Sequence, residues 1–118
     1  TMVNNISYVD NVLTLPNKNV KFPFNIDSML VYNGIFVVLL DIPNEDNTID
    51  NIFALDIEGK KLWRVQSVSK AYPDITQFSP YIGMSLLESG NISATNYFGV
   101  NYEISIEDGR ILSKRMVK

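Results

Sequence analysis

Two stretches of this chain, 28–65 and 81–117, can be laid over each other as copies of one four-strand pattern. Each copy closes on a hairpin with a glycine turn, Glu58-Gly59 in NIFALDIEGKKLWRV and Asp108-Gly109 in VNYEISIEDGRILSKRMV. A repeat of this length constrains the fold more than any single motif, because each unit leaves an apolar face that only a neighbour can bury.

The rest of the chain fits an all-β reading. Ile6 to Val9 and Val12 to Leu15 flank Asp10-Asn11 as a small hairpin, which Pro16 ends and which is expected to extend an edge of the main sheet. The mixed stretch 17–25, with Pro23, reads as an irregular crossing. In the first copy Met29 to Tyr32 turns at Asn33-Gly34 and returns as Ile35 to Leu40. Asn-Gly between apolar runs is a strong hairpin signal, since a type I′ turn needs positive φ at both central positions. The returning strand is apolar on both faces and should be central and covered on each side.

Residues 67–80 carry Pro73 and Pro80 and no sustained period, so a linker with one helical turn near Val68 to Tyr72 is expected. In the second copy Val100, Tyr102, Ile104 and Ile106 alternate with Asn101, Glu103 and Ser105, the period-two pattern of a half-buried strand. The chain therefore reads as a single all-β domain: hairpin and crossing over 1–27, repeat one over 28–66, linker over 67–80, repeat two over 81–118. The expected architecture is an antiparallel meander, curved or rolled into one sheet and not closed into a propeller.

Composition then narrows function. With 118 residues, 46% hydrophobic and 19% charged, the chain has the balance of a folded protein. It holds no cysteine and no histidine, which excludes a disulfide scaffold, a thiolate nucleophile, the common zinc sites and every imidazole-based triad. No cofactor or metal is expected, and enzyme activity is the least favoured class. A net charge of −3 disfavours nucleic acid and anionic membranes. The longest apolar run, Gly34 to Leu40, is strand length, and the opening residues lack the pattern of a secretion leader.

Charge is uneven along the chain. No basic residue falls between Lys21 and Lys60, while Asp27, Asp41, Glu45, Asp46, Asp50, Asp56 and Glu58 do. One reading is a solubilising loop; the other is a negative patch that steers a basic protein partner, carried by Asp41, Glu45, Asp46 and Asp50. The order of acids in 44–50 lacks the central glycine and terminal glutamate of an EF-hand loop. Tyr72 and Phe78, in the proline-bounded linker, are the candidate aromatic anchors.

Two resemblances follow from these residues. Ala54-Leu55-Asp56, the Gly59 turn and the closing Leu62-Trp63 resemble the outer half of a blade in quinoprotein-type β-propellers; in the second copy Glu103-Ile104-Ser105 and Ser113 stand in their places. In size, acidity and hairpin style the chain also resembles the immunity proteins of polymorphic and contact-dependent growth inhibition toxin systems. That second resemblance implies a cytoplasmic, monomeric inhibitor that occludes the active site of one cognate toxin domain, a nuclease by expectation, with its acids mimicking phosphate. Two alternatives stand beside it: a ligand- or lipid-binding β module around Met84, Leu86 and Phe98, and a structural repeat that oligomerises through sheet edges.

Overall fold

The computed structural model describes residues 5–116. Among these residues eleven strands form three antiparallel sheets, and the one helix, α1 (Val68–Ala71), is a single turn. The first sheet holds β1 (Ser7–Val9), β2 (Val12–Leu15) and β3 (Lys18–Lys21) in sequence order. The second holds β4 (Ile26–Tyr32), β5 (Ile35–Leu40), β6 (Ile52–Leu55) and β7 (Lys61–Arg64). The third holds β8 (Tyr81–Leu86), β9 (Ile92–Asn96), β10 (Val100–Ile104) and β11 (Ile111–Met116).

The all-β architecture and the two four-strand repeats are as the pattern predicts, and the strands do not close into a propeller. Two expectations are corrected. The repeats do not merge into one rolled sheet but stand as separate sheets packed face to face, because strand β5, apolar on both sides, needs a layer against each. The N-terminal hairpin does not extend the main sheet either. It gains β3 from the stretch read as irregular crossing, and becomes a small sheet of its own.

The middle sheet is the hinge of the packing. Leu13, Leu15 and Phe22 of the first sheet bury against Ile26, Val38, Leu40 and Leu55 on one of its faces. On the other face Val37, Leu39, Ile52, Ala54, Trp63 and Val65 meet Ile92, Ala94, Tyr102, Ile104 and Ile111 of the third sheet. The linker closes the side of this second core with Val68, Ala71, Tyr72 and Ile75.

Equivalent residues join successive sheets. Gly59 has φ +85°, and a Cβ there would lie 2.9 Å from Lys18 Cδ on β3; Gly109 has φ +77°, and its Cβ would lie 2.5 Å from Trp63 Cε3 on β7. Each glycine turn thus lets a hairpin press on the last strand of the preceding sheet, at a backbone conformation that other residues adopt only with strain. The Trp63 indole N–H donates to the Ile106 carbonyl at 2.9 Å across the same contact.

A second joint is an asparagine just before the third strand of the repeat. Asn51, fully buried, donates to the carbonyls of Leu40 and Tyr81 and accepts from the Tyr81 N–H, all within 2.9 Å. Asn11, just before β2, donates to the Phe22 carbonyl at 2.8 Å and so ties the two ends of its own sheet. The third sheet has Val100 at the position of Asn51, and among the described residues no sheet follows it.

Candidate functional site

The connections between the second and third strands of the second and third sheets, equivalent in the repeat, differ most. Between β5 and β6 the chain runs through residues 41–51, the acidic loop; between β9 and β10 it turns tightly over 97–99, presenting Tyr97 and Phe98. Because the sheets pack face to face, loop and turn come together. A cleft of about 420 Å³ is lined by Asp41, Ile42 and Asp46 from the loop, Pro80 and Ile82 from β8 and its approach, and Tyr97 from the turn.

Local structure aims these groups outward. Both first strands carry an irregularity in register, at Asp27 in β4 and Ile82 in β8, and such a bulge re-aims the extra side chain. Asp27 and Ile82 accordingly meet Asp41 and Ile42 along a smaller cleft that continues the first. Ile82 is 59% exposed and Tyr97 72%. At the turn the Asn96 carboxamide oxygen accepts from the N–H groups of Phe98 and Val100, both at 3.0 Å, which fixes the two rings at its tip. In the loop the Thr48 N–H donates to Asp46 Oδ1 at 2.9 Å. That bonding to Thr48 holds the Asp46 carboxyl below the usual carboxylate range.

The six residues singled out from the sequence separate on this surface. Asp41 and Asp46 line the cleft, and Glu45 is exposed on the same loop. Asp50 lies apart and serves the fold: its carboxylate accepts from Ser67 Oγ at 2.8 Å and its carbonyl from Arg64 Nε at 2.7 Å, tying the loop to the start of the linker. Tyr72 is half-buried, packed 6.2 Å from the Tyr102 ring with Lys114 Nζ 5.1 Å from its own, so it closes the core rather than standing free. Phe78, 38% exposed, shares a cavity of about 10 Å³ with Asp50, Tyr81 and Tyr102.

Tyr81 is the one buried polar side chain in the described residues without a hydrogen-bond partner. Burial, with Tyr102 and Asp50 nearby, pushes its phenol well above the ordinary tyrosine range. Burial raises Tyr102 as well. Among the described residues no group of three or more carboxylates, cysteines or histidines is placed to hold a metal ion, and no helix is long and apolar enough to cross a membrane.

Tyr97 and Ile82 are not among the residues the sequence singles out, and Phe98 is expected there only in a ligand pocket. A signal for Tyr97 and Phe98 was present. Adjacent residues at a strand end face opposite ways, so two consecutive aromatics before a glycine cannot both enter the core. Ile82 left none, since its exposure comes from the bulge. The apolar trio suggested for a ligand pocket is scattered: Met84 is half-buried, Leu86 lies exposed on β8, and Phe98 is at the turn.

Among solved structures the chain is similar over its full length to a computationally designed protein, Ika8, with a TM-score of 0.67 and 9% sequence identity. It spans 36% of that protein, and at this identity the likeness concerns the fold alone. No curated protein matches the sequence. A family profile described as Domain of unknown function (DUF7957) matches residues 3–116.

Proposed function

Since the chain belongs to that DUF7957 family, whose function is unknown, we propose its role from the surface itself: a non-enzymatic module that binds a basic protein partner in the cleft between the acidic loop and the Tyr97-Phe98 turn. The observation that carries the proposal is the meeting of carboxylates and exposed apolar groups from equivalent connections of two sheets. Aromatic and aliphatic groups that can be fully desolvated supply binding energy, while surrounding carboxylates steer a cationic partner and fix its orientation. Either alone would be commonplace on a protein surface.

The resemblance to immunity proteins gives this partner a class, a toxin domain that is basic where it grips phosphate, inhibited in the cytoplasm by occlusion of its active site. The test is co-purification of the chain with a toxin domain encoded beside it, followed by association kinetics. The triple substitution Asp41→Asn, Glu45→Gln, Asp46→Asn should slow association by roughly tenfold or more at low salt and converge with the parent at high salt. Unchanged association at low salt would remove the acidic loop from the interface.

A further inference from the structure

Tyr97 and Phe98 do not line the same cleft. Their rings pack edge to face, centroids 5.8 Å apart at 72°, and stand as a ridge between two grooves of nearly equal size. On one side is the acidic cleft of about 420 Å³, with Asp41 and Asp46 and no cation in its lining. On the other is a groove of about 410 Å³ with Phe98, Val100, Ile75 and Met116 in its walls, Lys114 as its only charge and no acid. Phe98 is 47% exposed and Met116 67%, so the second groove offers apolar area that water now covers.

From this opposition of charge we infer that the partner straddles the ridge with a two-part segment: an arginine or lysine seated in the acidic cleft, followed within a few residues by a large apolar side chain in the groove beside Phe98. The inference rests on the proposed docking at the acidic loop and adds its chemistry and polarity. A cation is attracted to one side and repelled by Lys114 on the other, while the apolar side chain finds its larger unpolarised wall only at Ile75, Phe98 and Met116. Swapping the two elements would set a cation against Lys114 and leave carboxylates against hydrocarbon, each of which costs desolvation without a partner.

The experiment titrates the full chain, isotope-labelled, with three probes observed by amide shifts: N-acetyl-arginine amide, N-acetyl-phenylalanine amide, and the joined peptide acetyl-Arg-Gly-Gly-Phe-amide. The arginine probe should move Asp41, Asp46 and Tyr97 and be suppressed by about 0.5 M salt. The phenylalanine probe should move Phe98, Val100 and Met116 and be indifferent to salt. Joined, they should bind roughly tenfold or more tighter than the better single probe, and Phe98→Ala should return the peptide to the strength of the arginine probe alone. No shift at Phe98, Val100 and Met116, or no gain on joining, overturns the two-part segment while leaving the acidic docking reading standing. Absence of shifts at Asp41 and Asp46 with the arginine probe removes both.

Discussion

The second and third sheets share a topology and a register and differ on one face. In the second, cross-strand rows Leu30, Val37, Ala54, Trp63 and Ser28, Leu39, Ile52, Val65 look toward the third sheet. The same rows in the third are Ser85, Ser93, Glu103, Ser113 and Gly83, Thr95, Asn101, Arg115. Seven apolar residues of eight have become none. The polar set is self-satisfied where it is least exposed, with Asn101 donating to Ser93 Oγ at 2.8 Å and Thr95 Oγ1 at 2.9 Å and Asn91 donating to Glu103 at 3.1 Å.

The loss of the Ala-Leu-Asp and Trp marks in the second copy is therefore not drift of a motif. Ala54 and Trp63 lie on the face that receives the next sheet, and among the described residues no sheet packs on the equivalent face of the third; Leu55, on the opposite face, keeps an apolar counterpart in Ile104. A polar face of this kind suits the outer side of stacked repeats, and it is built residue by residue in register with the apolar face it replaces. The asparagine that joins the second sheet to the third, Asn51, has Val100 in its place in the third sheet.

Exchanging the two faces should break the molecule in one direction and leave it folded in the other. Ala54→Glu places an unpaired carboxylate against Ala94 and Tyr102 and should cost more than about 4 kcal/mol in chemical denaturation, enough to unfold a domain of this size. A cost below about 1 kcal/mol would mean that the two sheets are not sealed together. Trp63→Ala should cost about 3–5 kcal/mol, whereas Ser113→Ala at the equivalent place should fall within about 0.5 kcal/mol of zero. Equal effects at the two sites would refute the cap.

Asn51→Ala removes three bonds to buried backbone and should cost about 2–3 kcal/mol, with amide exchange rising first at Tyr81. The converse change tests the face rather than the fold. Importing the second sheet's residues as Ser93→Val, Asn101→Ile, Glu103→Ala and Ser113→Trp should keep the chain folded but produce concentration-dependent self-association in sedimentation. A monomeric quadruple variant would show that the polar face is not what ends the stack.

The smallest effect concerns the orphaned phenol between the sheets. Tyr81→Phe should be neutral or stabilise by up to about 1 kcal/mol, because it discards an unsatisfied buried hydroxyl. The fold raises this phenol's pKa by favouring its neutral form. Stability from Tyr81 is thus fully present below the unfolded value of about 10 and is lost as pH climbs from there toward the folded value. The parent should lose stability above about pH 10 more steeply than the Phe variant.

Much of this was readable along the chain. Asn33-Gly34, with φ of 48° and 77°, makes the turn its residues demand, and β5 is covered on both sides as its unbroken apolar run requires. The helical turn in the linker falls where expected, at Val68–Ala71. What misled was the alternation through β10 and the residue after it: Asn101 and Ser105 are only 9% and 6% exposed, since hydroxyl and amide partners allow a polar face to pack closely. Of the expected interface, the acidic loop was legible from charge alone. Its apolar half was not, because Ile82 and Tyr97 owe their position to a bulge and to the neighbouring sheet.

Local sequence thus determined the strands, their turns and the period of the repeat, since φ preferences and two-residue alternation act within a few residues. It also recorded, in Glu103 and Ser113, that the copies are not interchangeable. Only the tertiary structure decided that there are three sheets and not one, which face of each copy is covered, and that the acidic loop faces Tyr97. These depend on which apolar face is buried against which, a choice made between segments distant in sequence and settled by shape, desolvation and the joints at Asn51, Gly59 and Gly109.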